Sequence, residues 1–279
     1  MDQTKIREEM AEAVRTVKRT NPMAPSLTNT VTVNFVANAQ IAVGGSAAMF
    51  YLPDEGEALG SLGGATYFNM GTLLPIYEET VPRTLEALRN AGKPWVLDPV
   101  AVGIGELRTK LLMQMKPYKP DIIRGNASEI IALAGLWKLE GGSETTNARG
   151  VDSTDTVNAA KRAAAALARW TGGAVSVSGT DDYVTDGSKG AVSHGGSHFM
   201  EKITGSGCSL GGVCAVYLCA SSPFTAAMTA VSVYNLAGRL AGRRTAGPGS
   251  FPPAFLDELY LAEPEEIAGN PFELEEALL

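Results

Sequence analysis

Apolar residues recur along the chain in two different rhythms. Ile6, Met10, Ala13, Val14 and Val17 return every three or four positions, the spacing of one helix face, so residues 4–19 are expected to form an amphipathic helix with a covered side. Farther on the rhythm changes. Short apolar runs stand in ATYFNMG, KPWVLDPV, PDIIRGN and GAVSVSG, and helical patterns such as PIYEETVPRTLEALRNAG, ELRTKLLMQM and STDTVNAAKRAAAALARW separate them. Strands that are apolar on both sides and joined through helices belong to a parallel α/β sheet. Further helices are expected from 208 to about 220, from 224 to 241 and after Pro253, and the Gly- and Ser-rich stretch at 139–152 reads as a loop. Neither an interdomain linker nor an internal repeat interrupts the pattern, so one domain over 1–279 is expected.

Each predicted strand ends in residues unlike its body: Asn69 and Gly71, then Asp98, then Arg124 and Asn126, then Ser178. Any one strand needs turn residues at its exit. Four ends carrying amide, carboxylate, guanidinium and hydroxyl groups together suggest a rim, because ligands of open parallel sheets bind beyond the carboxyl ends of the strands. In RGNASEI, Asn126 or Ser128 can cap the next helix with Glu129 in its first turn. Arg124 then stands at a positive helix end, where a cation is unfavourable unless an anion is bound, and this points to phosphate. Asp98, followed by Pro99, reads either as a turn-former or, with Glu129, as a holder of hydrated Mg²⁺.

The segment ITGSGCSLGG places Gly205, Ser206 and Gly207 just before Cys208 at an expected helix start. It lacks the lysine of a Walker A loop, but its glycines let successive amides turn toward one anion at the helix dipole. That field is expected to lower the thiol pKa and favour thiolate. Packing as a small buried hydrophobe is the other reading of Cys208, and it is the one given to Cys214 and Cys219.

Composition narrows the choices. The formal net charge is −7 with no basic cluster, which argues against nucleic-acid binding, since that needs phosphate neutralisation. Three cysteines within one short region, with no C-x-x-C pair, argue against a disulfide framework and for a reducing cytoplasm. The charged N-terminus has no apolar signal core, and no run approaches the roughly 18 apolar residues of a membrane span. Two histidines, with no cysteine spaced to join them, give zinc little support.

Taken in order from about residue 26 to 262, LTNTVTVNFVANAQIAVGGSAAM, NMGTL, LDPVAVG with Arg108, IRGNASEI, GVDS, SVSG, ITGSGCSL and GPGSFPPAFLDELY resemble the hydroxyethylthiazole kinase family. The resemblance implies an α/β, ribokinase-like fold with a central, mostly parallel sheet flanked by helices on both faces. It also implies phosphorylation of 4-methyl-5-(2-hydroxyethyl)thiazole by ATP with Mg²⁺ in thiamin salvage, and a homotrimer with sites at subunit contacts. Residue by residue, it assigns Met49, Gly205, Asn29 and Gly71 to the thiazole alcohol, Arg124, Ser178 and Asn126 to ATP, and Asp98 and Glu129 to Mg²⁺. Cys208 takes the place where most ribokinase-like enzymes keep a catalytic aspartate, with Gly205 and Gly207 in its anion hole. The chain departs from the family at Ala101, usually Gly, at Ile104 and Gly105, usually a small residue and Thr, and in SAAM and SLTN. Rival readings are a kinase for a related heterocyclic alcohol, an ATP- or ADP-dependent hydrate dehydratase of the same fold, and a ligand sensor without turnover.

Overall fold

The computed structural model describes residues 2–143 and 153–276. The amphipathic N-terminal segment forms helix α1 (Gln3–Thr20), capped by the Asp2 side chain and closed by Asn21 in the left-handed region. Its apolar stripe is buried, as the spacing predicts. Strand β1 (Met23–Leu27), α2 (Val33–Ala42), β2 (Ser46–Met49) and α3 (Pro53–Leu62) follow. Then come β3 (Thr66–Asn69), α4 (Tyr77–Ala91), β4 (Trp95–Asp98), α5 (Glu106–Met115), β5 (Ile122–Asn126) and α6 (Ala127–Leu136). After α7 (Ser153–Thr171) and β6 (Ala174–Ser178) the chain makes a strand pair, β7 (Asp182–Thr185) and β8 (Lys189–Ser193). Helices α8 (Ser206–Leu218), α9 (Pro223–Arg244), α10 (Phe251–Leu261) and α11 (Pro264–Gly269) precede a last strand, β9 (Phe272–Glu276). The expected loop at 139–152 is described only to residue 143; the rest of it, with most of the GVDS stretch, lies outside the described residues.

One sheet runs β2-β1-β3-β4-β5-β6-β7-β8-β9. Neighbours from β2 to β6 are parallel and those from β6 to β9 antiparallel. The four expected strands are its centre. They read as apolar runs because both faces are covered: Tyr67, Val96, Ile122 and Ala174 pack in one core with α1, α2, α8, α9 and α10, while Phe68, Leu97, Ile123 and Val175 pack in the other with α4 to α7. Each fully buried Leu, Ile or Phe is worth about 1.5–3 kcal/mol, so the two layers hold the sheet from both sides.

That alternation also positions the site. Asn69, Asp98, Arg124 and Ser178 each lie an even number of residues from a side chain in the α8–α9 core, so all four project from the face that carries α8. Among the described residues no helix is long and apolar enough to cross a membrane.

Candidate active site at the strand ends

Helix α8 begins over these ends. Gly205 is its N-cap with φ +94°, a left-handed conformation that suits glycine, and it turns the chain so that Ser206, Gly207 and Cys208 form the first turn. A methyl group on Gly207 would stand 2.7 Å from both terminal nitrogens of Arg124. Glycine there lets the guanidinium lie against the helix backbone.

Arg124 is buried. Its Nη1 donates to Asp98 Oδ2 at 3.4 Å and its Nη2 to Ser178 Oγ at 2.9 Å. Position in the chain puts Arg124 at the positive end of α6; its side chain reaches the start of α8, where it pairs with the Asp98 carboxylate. Burial works against the charge of Arg124, but Asp98 and Glu129 outweigh it and hold its pKa above the ordinary value. Burial likewise pushes the Asp98 carboxyl up, to about 7, with Arg124 opposing and Glu129 adding to the rise.

A polar network ties this carboxylate to the cysteine. Tyr67 has its hydroxyl 3.0 Å from Asp98 Oδ2 and 2.7 Å from the Cys208 carbonyl, and it accepts from Asn69 Nδ2 at 2.8 Å. Asn69 Nδ2 also donates to Asp98 Oδ2 at 3.1 Å, and its Oδ1 accepts from the Gly71 amide and from Asn29 Nδ2, both at 2.9 Å. Asn29 Nδ2 reaches Cys208 Sγ at 3.5 Å, and its Oδ1 accepts the Thr32 amide. The carbonyls of Met70 and Gly71 take Arg108 at 2.9 and 2.6 Å. Asn29, Gly71, Asp98, Arg124, Ser178, Gly207 and Cys208 thus meet in one place.

Two groups of expected residues stand apart from that network. Asn126 and Glu129 form a capping box at α6, Glu129 Oε2 accepting the Asn126 amide and Asn126 Oδ1 the Glu129 amide, each at 2.9 Å. Glu129 Oε1 also accepts the Ala101 amide at 3.3 Å, and Ala101 has φ +59°, the region that explains glycine at this position in the family it resembles. Met49 ends the edge strand β2, half-buried against the α8–α9 core. The thiol departs from expectation in another way: burial, then the Asp98 carboxylate, push Cys208 up rather than down, with Arg124 opposing.

A cavity of about 560 Å³ opens beside the network, with Arg124, Ser178 and Gly207 in its wall. Tyr67 and the acidic cavity residue Asp182 were not singled out from the sequence. Tyr67 lies inside an apolar run, and Asp182 lies just past a turn, where carboxylates are common.

Residues 14–265 match the hydroxyethylthiazole kinase family. A hydroxyethylthiazole kinase from Bifidobacterium longum subsp. infantis is 48% identical over 94% of this chain and 90% of its own length. The structure of a hydroxyethylthiazole kinase protein from Pyrococcus horikoshii OT3 is similar with a TM-score of 0.84 and 29% identity, covering 96% of this chain and 99% of that one. A ribokinase-like superfamily protein from Enterococcus faecalis has a TM-score of 0.60 at 11% identity, covering 93% and 94%, and shows the fold.

Proposed function

The chain belongs to the hydroxyethylthiazole kinase family, and from that membership we propose that it transfers the γ-phosphoryl group of ATP to the hydroxyl of 4-methyl-5-(2-hydroxyethyl)thiazole in thiamin salvage. The observation that carries this is the convergence, on one sheet face, of Arg124 with the glycine turn and Cys208. Phosphoryl transfer asks mainly for in-line positioning and charge stabilisation. Arg124 and Ser178 hold the nucleotide phosphates, and the amides at the start of α8, with the helix dipole, stabilise charge on the transferring group. Cys208, held by Asn29, first gives its thiol proton to water, and the resulting thiolate Sγ accepts the alcohol proton. Asn29, which donates to that sulfur, and Gly71, which lies against Asn29, close the alcohol side.

The donor set suits magnesium. Asp98 Oδ1 is buried without a hydrogen bond, and each Glu129 oxygen accepts only one backbone amide. Two such carboxylates with water and substrate phosphates match the way Mg²⁺ is usually bound, so Asp98 and Glu129 would hold it. Bound there, the ion supplies neutralisation of phosphate charge. Met49 sits on the edge strand β2, and Val31, Ile41 and Leu52 around that edge are exposed, which supports a homotrimer whose neighbour completes the thiazole side. The free thiols fit a reducing cytoplasm.

Mass spectrometry after incubation with ATP, Mg²⁺ and a panel of hydroxyethyl thiazoles and pyrimidines tests the assignment. The thiazole monophosphate is the expected product. A phosphorylated pyrimidine alone, or ADP formed beside a dehydrated substrate, would overturn it.

A further inference from the structure

Phosphate binding does not explain the acidic middle of the cavity beside Arg124. Three of its lining residues lie on neighbouring strands, Arg124 on β5, Ser178 at the end of β6 and Asp182 at the start of β7. Ser176 pairs with both Arg124 and Val184, so Ser178 and Asp182, each two residues from that row, project from the same face as Arg124. Past β8, the chain lines the cavity with Gly195, Gly196, Ser197, His198, Met200 and Glu201. Across the sheet the wall therefore runs from a cation, through a carboxylate, to glycine backbone followed by mixed polar and apolar side chains.

A carboxylate accepts hydrogen bonds and, while ionised, donates none. Asp182 Oδ1 accepts the Gly179 amide at 3.2 Å. With about four acceptor positions on a carboxylate, most remain for a ligand. Anionic phosphate is repelled there. The donors a nucleotide offers outside its phosphates are sugar hydroxyls and base N–H groups. With phosphates at Arg124 and a base over the Gly195–Gly196 backbone, the group that falls opposite β7 is the sugar. We propose that Asp182 is a specificity-determining residue that binds the sugar hydroxyls of a nucleoside triphosphate and selects ribonucleotides over deoxyribonucleotides. This deepens the kinase reading above and rests on the cavity being its nucleotide site.

The test is calorimetric titration of the whole protein with ATP, 2′-deoxy-ATP, 3′-deoxy-ATP and inosine triphosphate, for the wild type, Asp182→Ala and Asp182→Asn, with melting temperatures for each. A hydrogen bond to a charged group is worth tenfold or more in affinity. The wild type should therefore bind ATP at least about tenfold more tightly than one of the deoxy analogues. Asp182→Ala should bring that ratio close to one. Asp182→Asn, which keeps an oxygen for the Gly179 amide, should fold as the wild type does and still lose most of the ratio, so it carries the test if the alanine variant is unstable. A wild type indifferent to the sugar, or a ratio unchanged in both variants, overturns the proposal. So does a loss confined to discrimination between ATP and inosine triphosphate, which would place Asp182 at the base. Because binding is measured without turnover, sugar selectivity in a protein that phosphorylates no alcohol would leave this inference standing and defeat the kinase reading; failure to bind ATP would defeat both.

Discussion

In the proposed reading Cys208 accepts the alcohol proton, although burial and the Asp98 carboxylate hold its thiol up. In a loose phosphoryl transfer the alcohol proton leaves late, so a weak base suffices and a carboxylate serves at least as well as a thiol that must first ionise. Cys208→Asp is expected to keep substantial kcat. Cys208→Ser should lose most of it, within the ~10²–10⁴-fold of general-base removal, with substrate binding intact. A fully active serine variant beside an unfolded aspartate one would mark the residue as packing. At Arg124, truncation to Ala removes a charge-assisted phosphate contact worth about 1.5–3 kcal/mol. Nucleotide affinity should fall roughly ten- to a hundredfold while thiazole affinity holds, and calorimetric titration of each ligand checks the split. The Arg124 finding also shows how far single residues could be read. The polar strand ends do converge on one face of the sheet, but which anion balances Arg124 depends on a strand 26 residues away. The thiol's direction of shift depends on burial, which spacing does not report.

At the scale of elements, the start of α8 is the critical piece. Gly205→Ala forces a side chain onto φ +94° and brings its methyl within 3.3 Å of Phe35 and Thr32; about 1–2 kcal/mol of stability should be lost. Gly207 has a different role, since its own backbone is ordinary helix. Gly207→Ala should displace the Arg124 guanidinium and weaken nucleotide binding more than it lowers the melting temperature; equal losses in Arg124→Ala and the double variant would confirm that both act through one contact. The central strands and long helices were legible because burial on both faces, or on one stripe, leaves a periodic signature. Strands β1 and β2 were hidden by Pro25 and by the small residues of Ser46–Met49. The antiparallel β7, β8 and β9 were hidden because Asp182, Lys189 and the glutamates of Phe272–Glu276 break the apolar run.

For the whole molecule, buried carboxyls set a pH dependence of stability. Burial raises Asp182 to about 6, above the 3.8 of an ordinary Asp. Between these values the folded protein holds a proton that the unfolded chain has released, so the contribution is complete below about pH 4 and disappears as pH rises through 6. At 1.36 kcal/mol per pK unit, the change is up to roughly 3 kcal/mol. Denaturant midpoints from pH 4 to 7 should fall, and Asp182→Asn should make the fall shallower while leaving the share of Asp98, which burial raises to about 7. An unchanged slope in that variant would show that Asp182 titrates normally. In the proposed reading the sheet, the α8 turn and the polar network serve one reaction, coupled transfer between two substrates. Turnover with ATP labelled in its γ-phosphate, Mg²⁺ and 4-methyl-5-(2-hydroxyethyl)thiazole follows that transfer directly. ADP and labelled thiazole monophosphate should appear in equal amounts. ADP released with labelled free phosphate, and none in the thiazole, would contradict a kinase acting on this alcohol.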